Sequence, residues 1–368
     1  MSNGTGIFCI VGRYLNWFCL PGIETPRHLP YDLCMENTAI IAEGGGQRGI
    51  YTAGVLDAFL HFGFNPFTMG IGVSAGAQNL FSYFLEQPGY ARRAIEDLTR
   101  EPGFFVPYRW VGERGIIDLD GYFAHSLNDP DYLLPYQRLT KVQTQRRLYF
   151  VATDMESLEP VYLEPDESNV VEYLKASSAV PFLYKAGVSF GDRTLLDGGI
   201  ADPIPVKRAI DLGAKRLIVI RTTSQGAEPG WRHRLEQFRK LRALPSRMIR
   251  MLECYERAER EADYFIDNHD KDIELVMIRP EIPLKSQVFG SRSEDLVTDY
   301  KVGWYDGAQA IAGLGHWQVA DSAVDRSANR TADGVANRTT TNRATDRVAD
   351  KADEQGAGEP AEDTALLS

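Results

Sequence analysis

A serine flanked by glycines is the residue in this chain with the clearest potential for chemistry. Gly72-Val73-Ser74-Ala75-Gly76 fits the pattern Gly-x-Ser-x-Gly, and a short apolar run from Met69 to Val73 precedes the serine. At a strand-to-helix junction this pattern forms a nucleophile elbow, a strained turn that exposes the serine hydroxyl. The same residues also suit a glycine-lined helix start that Ser74 merely caps. Because a helix is predicted from Ala75 to Leu85, we favour the nucleophile.

A nucleophilic serine needs a general base, and a carboxylate stands at another predicted strand end. Asp197 follows two apolar residues and precedes Gly198 and Gly199, which would allow a close approach to Ser74. An ordinary α/β-hydrolase would instead supply Asp and then His after the serine. None of the six histidines lies in a glycine-rich loop at a strand end, and His233 lies among arginines. Asp197 is therefore either the base or a structural residue that caps its loop.

A third motif, Gly44-Gly45-Gly46-Gln47-Arg48-Gly49, lies between the first predicted strand and its helix. Glycines let a backbone approach a ligand closely, and a helix N-terminus points free N–H groups at an anion. Alone, the motif fits a dinucleotide fingerprint, a phosphate loop, an oxyanion hole or a tight structural turn. A dinucleotide site would need an acidic residue about twenty positions on, and a Walker loop needs Gly-Lys-Ser/Thr. The chain has neither feature, because the next strand ends in the Ser74 motif.

Short apolar strands alternate with helices around these motifs. Helices are predicted at about Gly49–Phe62, with Ile50, Ala53, Leu56 and Leu60 on one face, at Ala75–Leu85, and at Pro203–Leu212, with Asp202 as the N-cap. The predicted strands are Thr38–Ala42, Met69–Val73, Leu148–Thr153, Pro160–Leu163, Thr194–Leu196, Leu217–Arg221 and Ile273–Ile278. The alternation predicts an α/β fold with a mostly parallel sheet covered on both faces, whose ligands bind beyond the carboxyl ends of strands.

Taken in order, the three motifs resemble those of the patatin-like phospholipase family. The stretch Ala176-Ser177-Ser178-Ala179-Val180-Pro181-Phe182 and the stretch Asp202-Pro203-Ile204-Pro205 also match. With Glu43, the first motif is similar to the bacterial branch, which reads Glu-Gly-Gly-Gly-x-Arg-Gly. The resemblance spans about residues 38–222. It implies a three-layer α/β/α fold and a Ser–Asp dyad without histidine.

The resemblance also implies a role for each motif. Ser74 would be the nucleophile and Asp197 the base. The N–H groups of Gly45 and Gly46, in the Gly44–Gly46 loop, would form the oxyanion hole, with Arg48 shaping that loop. Two departures from the family pattern, Val73 for the commoner Thr and Gly199 where many members have Ala, change no reacting group.

The activity that the resemblance implies is hydrolysis of lipid carboxylic esters through an acyl-enzyme, with no metal or cofactor. Burial is expected to raise the pKa of the basic aspartate. An acyltransferase that uses the same dyad stays open. A non-catalytic lipid-binding module is disfavoured, because both reacting residues and the glycines are present.

Composition limits the partners and divides the chain into segments. A net charge of −11 disfavours general nucleic-acid binding. The sequence contains no run of eighteen apolar residues, so it predicts no membrane-spanning helix. The four cysteines fit neither a metal-site spacing nor a dense disulfide framework, which favours a reducing, cytoplasmic compartment. We expect an N-terminal extension over residues 1–35, with Met35 a candidate start, and a folded domain over 36–316, whose part after the motifs is 223–316. Residues 317–368 should be a disordered tail, since 321–368 contain no aromatic residue, Ile, Met, Cys or His.

Two segments bear on the substrate. Trp231–Arg250 contains seven Arg or Lys against one Glu, interleaved with apolar residues. This pattern fits a helix at an anionic lipid surface, and equally a solvated helix packed over the sheet. The aromatic-rich span Phe104–Tyr136 predicts either a cap near the site or core packing. Neither segment selects a head group or a chain length.

Overall fold

The computed structural model describes residues 36–106, 108–109, 115–181, 183–184, 187–225 and 245–314. All of these residues belong to one compact unit. The predicted N-terminal extension, the predicted tail and residues 231–244 of the basic segment lie outside the described residues.

Within the described residues, eight strands form one sheet in the order β5-β6-β3-β2-β1-β7-β8, with β4 paired to β3. Strands β3, β2, β1, β7 and β8 run parallel, whereas β4, β5 and β6 pair antiparallel. The strands are β1 (Thr38–Ala42), β2 (Met69–Val73), β3 (Arg147–Asp154), β4 (Pro160–Leu163), β5 (Val188–Phe190), β6 (Arg193–Asp197), β7 (Arg216–Ile220) and β8 (Glu274–Ile278). The mostly parallel sheet predicted from the sequence is confirmed.

The helices that the described residues form cover both faces of this sheet. They are α1 (Gly49–His61), α2 (Ala75–Phe84), α3 (Tyr90–Glu96), α4 (Leu119–Asn128), α5 (Arg138–Gln143), α6 (Val170–Ser177), α7 (Val206–Asp211), α8 (Ser246–Asp267) and α9 (Ser293–Gly313). Short 3-10 turns cover Gly46–Arg48, Leu98–Arg100 and Gly198–Ile200.

Alternation along the strands separates the two layers of the core. Side chains at odd positions, such as Ile71 of β2 and Val219 of β7, form one cluster with Ala209 of α7 and Ala262 of α8. Side chains at even positions face the opposite layer, where the ring of Phe150 meets that of Phe81 of α2 edge to face at 6.0 Å. Since successive strand residues point to opposite faces, one apolar strand serves both layers. The architecture is therefore the expected α/β/α sandwich.

Helix α1 is buried on nearly every side, beyond the single apolar face predicted for it. The reason is α9, which packs against α1 backbone to backbone. A Cβ atom on Gly54 would collide with the Tyr300 carbonyl, and one on Gly303 would collide with the Tyr51 carbonyl. The C-terminal helix is thereby in direct contact with the helix that follows the first glycine motif.

The predicted helix start at Pro203, with Asp202 as its N-cap, is wrong. Helix α7 begins at Val206, and Pro205 stands at its N-cap position. A residue before proline is kept out of the α region, so Ile204 cannot be helical ahead of Pro205. The Asp202 carboxylate instead accepts a hydrogen bond of 2.6 Å from the Tyr162 hydroxyl.

Candidate active site

Strands β2 and β6 meet end to end along one edge of β3. Val73, the last residue of β2, pairs with Val151, and Asp197, the last residue of β6, pairs with Ala152. Strand β4 occupies the opposite edge of β3 at the same positions. Although β6 is antiparallel to its neighbour, its carboxyl end therefore meets the carboxyl end of β2, and Ser74 and Asp197 come together.

Ser74 occupies a strained turn between β2 and α2. Its backbone has φ 54° and ψ −124°, a conformation that non-glycine residues rarely adopt. Gly72 and Gly76 make the turn possible, because a Cβ on Gly72 would collide with the backbone of Ala77 and one on Gly76 with the carbonyl of Ala42. These contacts fit a nucleophile elbow.

Neighbouring residues hold the turn from its backbone side. The Ser74 N–H donates to Ser177 Oγ at 2.9 Å, and the Ser177 hydroxyl donates to the Val151 carbonyl at 2.6 Å. The Ser74 side chain makes no capping hydrogen bond to α2. Its hydroxyl lies close to the Asp197 carboxylate, and this interaction lowers the pKa of that carboxyl.

Asp197 is buried, and hydrogen bonds hold both its carboxylate and its backbone, whose N–H donates to the Ala179 carbonyl at 2.9 Å. Its Oδ1 accepts from the Gly199 N–H at 2.8 Å, and its backbone carbonyl accepts from Thr153 Oγ1 at 2.8 Å. Burial raises the pKa of this carboxyl to about 6, against the lowering effect of its interactions with the Gly199 N–H and the Ser74 hydroxyl. Gly198 allows the close approach, since a Cβ there would collide with the Val151 carbonyl. The carboxylate is thus a stronger base than an exposed aspartate and is still ionised at neutral pH.

The first glycine motif lies directly against Ser74. A Cβ on Gly44 would lie 3.1 Å from the Ser74 Cβ. Gly45 and Gly46 have φ values of 150° and 57°, which a residue with a side chain rarely adopts. Among the described residues, no hydrogen-bond acceptor contacts the N–H groups of Gly44, Gly45 or Gly46. The loop therefore presents free donors beside the serine.

Arg48 follows this loop and lies along it. A Cβ on Gly45 would be 3.4 Å from both Cβ and Nε of Arg48. The Arg48 N–H donates to the Gly45 carbonyl at 3.1 Å, and its Nε has no hydrogen-bond partner among the described residues. Arg48 thus packs along the Gly45 backbone. Gly49 begins α1, and a Cβ built on it would lie 3.0 Å from the Ala75 Cβ.

A buried ion-pair cluster holds the start of the glycine loop. The Glu43 carboxylate accepts from the Thr222 N–H at 2.7 Å and lies 3.6 Å from Arg221 Nε. Arg221 also pairs with Asp263 at 2.6 Å and with Glu259 at 3.8 Å, both on α8. Burial disfavours the Arg221 charge, but these carboxylates outweigh burial and raise its pKa.

The other end of the loop is held by residues near the C-terminus. The Gln47 N–H donates to the Val288 carbonyl at 2.9 Å. The Gln47 side chain accepts from the Ser291 N–H at 2.8 Å and donates to Thr99 Oγ1 at 2.8 Å. None of these partners was identified from the sequence, because contacts across 52 residues to Thr99 and across more than 200 residues to Val288 and Ser291 leave no local pattern.

Ser74, Asp197 and the glycine loop line a cavity of about 320 Å³. Apolar side chains form most of the remaining wall. The predicted cap contributes Phe104, Ile117, Leu119 and Tyr122, and the C-terminal region contributes Met248, Met251, Leu252, Tyr255, Val288 and Phe289. The aromatic-rich span therefore forms a wall of the site, while parts of it, such as buried Phe123, also pack internally.

Histidine does not take part in the site formed by the described residues. His61 packs against Phe62 and Trp304, His125 pairs with Asp129, and His269 hydrogen-bonds the Ile266 carbonyl. The described part of the chain holds no group of three or more His, Cys, Asp or Glu arranged to bind a metal ion. It also contains no helix with the length and apolarity needed to span a bilayer.

Comparisons with known proteins bear on both parts of the molecule. The family model described as "Patatin-like phospholipase" matches residues 40–210, and the model of a domain of unknown function, DUF6363, matches residues 246–319. The chain is 38% identical over 282 residues to "Uncharacterized protein YjjU" of Escherichia coli (strain K12), an alignment that covers 75% of this chain and 78% of that protein.

Two solved structures are similar at low identity. VipD from Legionella pneumophila is 13% identical with a TM-score of 0.37, over 76% of this chain and 67% of that one. The human GIVD cytosolic phospholipase A2 is 11% identical with a TM-score of 0.39, over 75% and 61%.

The match to the patatin-like model runs from β1 into α7. It therefore contains the glycine loop, the Ser74 turn and Asp197, which the fold brings to one cavity. The chain belongs to the patatin-like phospholipase family.

Proposed function

We propose that this protein is a serine lipid acyl hydrolase of the phospholipase or esterase type, acting through a Ser74–Asp197 dyad. The observation that carries the proposal is the meeting of the Ser74 turn and the buried Asp197 carboxylate at adjoining strand ends, in the wall of an apolar cavity. A hydroxyl close to a desolvated base, beside free N–H donors, is the arrangement that acyl transfer needs.

In the proposed acylation step, Asp197 accepts the Ser74 proton while Ser74 Oγ attacks the ester carbonyl carbon. The carbonyl electrons move onto oxygen, and the N–H groups of Gly45 and Gly46 stabilise the resulting oxyanion. Each such donor contributes about 2.7–4 kcal/mol in other hydrolases. The C–O bond then breaks, and the protonated Asp197 returns its proton to the departing alcohol.

In deacylation, a water oxygen is the nucleophile and Ser74 Oγ is the leaving group. Asp197 accepts a proton from water, and the water oxygen attacks the acyl-serine carbonyl at the same oxyanion site. Collapse of this second tetrahedral intermediate releases the carboxylic acid, and Ser74 regains its proton from Asp197. Each turnover consumes one ester bond and one water molecule.

The mutational test compares ester hydrolysis by the parent protein, Ser74→Ala and Asp197→Asn. Both variants are expected to lose at least about 10³-fold in kcat on a short-chain p-nitrophenyl ester, as other catalytic residues of this kind do. The matched control is Asp211→Asn, at an exposed carboxylate of α7, which should behave like the parent. Two outcomes would contradict the dyad and favour a triad that contains histidine. One is full activity in Asp197→Asn, and the other is loss of activity in His233→Ala at unchanged stability.

We also propose that the protein works in the cytoplasm and contacts anionic membrane through the basic segment. Replacing four basic residues of this segment with Gln should weaken vesicle binding, and added salt should have the same effect. The four are Arg239, Lys240, Arg242 and Arg247. Charges near anionic lipid contribute about 1 kcal/mol each. Arg247 should matter least, because it donates to the Met155 carbonyl at 3.1 Å. Binding that ignores both salt and the substitutions would contradict this contact.

A further inference from the structure

One face of helix α8 lines the cavity that contains Ser74. The four residues of this face, Met248, Met251, Leu252 and Tyr255, follow each other at i, i+3, i+4 and i+7. This spacing puts side chains in one stripe along a helix. Further along α8, Ala262 and Ile266 pack into the core under the sheet. The first half of α8 therefore borders the cavity, while the second half anchors the helix.

The chemistry of this stripe differs from that of the dyad side of the cavity. Ser74, Asp197 and the glycine loop supply the polar groups, whereas the α8 stripe supplies two thioethers, one isobutyl group and one aromatic ring. Methionine side chains are flexible and polarisable, and they adapt to apolar ligands of varied shape. An ester whose carbonyl reaches Ser74 would thus lay its hydrocarbon part against this stripe.

The size of the cavity limits what this hydrocarbon part can be. A volume of about 320 Å³ lies at the lower end of the range of about 300–1,000 Å³ found for small-molecule pockets. This space suits one acyl chain rather than the two chains of a diacyl lipid. The length of the chain would then be limited by the side chains that close the cavity.

We propose that the Met248–Tyr255 face of α8 is the wall of the acyl-chain subsite and sets the chain length that the enzyme accepts. This inference rests on the proposed hydrolase function. It gives the C-terminal region, which matches a domain of unknown function, a direct part in substrate selection. The motif-bearing region would supply the chemistry, and the C-terminal region would supply the specificity.

Leu252 is the best residue at which to test the proposal. It lines the cavity and is half-buried, whereas Met251 also packs into a core cluster with Leu196 and Ile200. Leu252→Trp should shorten the subsite and Leu252→Ala should lengthen it. The matched control is Leu133→Trp, the same substitution at a leucine that is 56% exposed and does not line the cavity.

The measurement is kcat/KM for p-nitrophenyl butyrate, octanoate and laurate, with the thermal unfolding midpoint of each variant. Leu252→Trp is expected to lower the laurate-to-butyrate ratio by about 10-fold or more, and Leu252→Ala to raise it. Leu133→Trp should keep the parental ratio. A parental ratio in both Leu252 variants, with ester hydrolysis intact, would overturn this inference alone. A parent protein that hydrolyses none of the three esters would overturn the proposed function and this inference with it.

Discussion

The motif-bearing region, residues 38–222, and the C-terminal region, residues 246–314, contribute to the same cavity in different ways. The first supplies every group proposed to react: Ser74, Asp197 and the glycine loop. The second supplies apolar wall residues, the main-chain partners of Gln47 and two acidic partners of Arg221, Glu259 and Asp263. The motif-bearing region therefore contains the groups proposed to react, and the C-terminal region supports them through packing and hydrogen bonds.

This difference explains why the two regions look so unlike each other in sequence. Reacting groups and strained turns demand particular residue types at fixed spacing, which produces recognisable motifs. A wall or a main-chain hydrogen bond can be made by many residue types, so it leaves a weak pattern. Lack of a motif in the C-terminal region is thus compatible with a direct part in the site.

The largest expected effect on stability comes from the ion pairs that join the two regions. Arg221→Met removes the charge shared by buried Glu43 and Glu259 and should destabilise the protein by about 3–5 kcal/mol, with a lower kcat because the glycine loop loses its support. The matched control is Arg216→Met at the start of β7, the strand that ends just before Arg221. Arg216 pairs with Glu274 at the surface, so its loss should cost at most about 1 kcal/mol.

Urea unfolding and ester hydrolysis would measure both effects. Equal losses of stability in the two variants would show that the Arg221 cluster stabilises the fold no more than a surface ion pair does.

A smaller loss is expected where α9 touches α1. Gly303→Ala places a methyl group against the Tyr51 carbonyl and should destabilise the protein by about 1–3 kcal/mol, as overpacking does. Gly313→Ala, at the end of the same helix, meets no atom within 4 Å and should be neutral or slightly stabilising. Thermal unfolding of both variants tests the prediction. A stable Gly303→Ala protein would mean that the two helices are less closely packed than described.

The raised pKa of Asp197 predicts opposite pH effects on activity and on stability. The dyad needs the carboxylate, so kcat/KM should rise with pH through about 6 and then level off. In the unfolded chain this pKa lies near about 3.9, so folding disfavours the ionised form. The stabilising contribution of the protonated group is complete below about pH 4 and is lost as the pH rises through about 6.

Asp197→Asn should therefore be more stable than the parent above pH 6, by on the order of 1–3 kcal/mol, and equally stable below pH 4. Unfolding of both proteins across this range measures the difference. Because Asp57 and Asp202 also have pKa values raised to about 6, the parent must serve as the reference. A variant that is less stable at pH 8 would contradict the burial argument.

The smallest effect is expected from removing the predicted tail. A chain that ends at His316 should unfold and hydrolyse esters like the full chain, because residues 321–368 carry almost nothing that can form a core. Ending the chain at Arg292 instead removes α9 and should abolish folding. If the chain that ends at His316 aggregates, the residues after His316 are part of the folded domain and the predicted boundary of the tail is wrong.

Much of the fold could be predicted from the sequence because its signals are local. The strand predictions agree with the structure within a residue or two, since short apolar runs between glycines and helices are distinctive. The predicted start of α7 was wrong, because the helix begins after Pro205 and not at Pro203, where Asp202 had indicated an N-cap. Ser74 and Asp197 were each identified at a strand end, but their meeting was not derivable from a parallel sheet. It depends on β6 running antiparallel into the end of β2.

The rest of the site was missed for a related physical reason. The α8 stripe carries a visible i, i+3, i+4, i+7 pattern, but this pattern predicts only a buried face and not what the face covers. The sequence interpretation assigned Met248 to a basic amphipathic segment, whereas the structure places it in the wall of the cavity. Arg221 is the last residue of the predicted strand Leu217–Arg221, and only the fold brings it to Glu43.

The most direct test of the central claim is labelling with a fluorophosphonate, which reacts with activated serines. The parent protein should be labelled on Ser74, as identified by mass spectrometry of its peptides. Ser74→Ala should take up no label, and Asp197→Asn should react far more slowly than the parent. An unlabelled parent, or label on a different serine that persists in Ser74→Ala, would contradict the Ser74–Asp197 dyad.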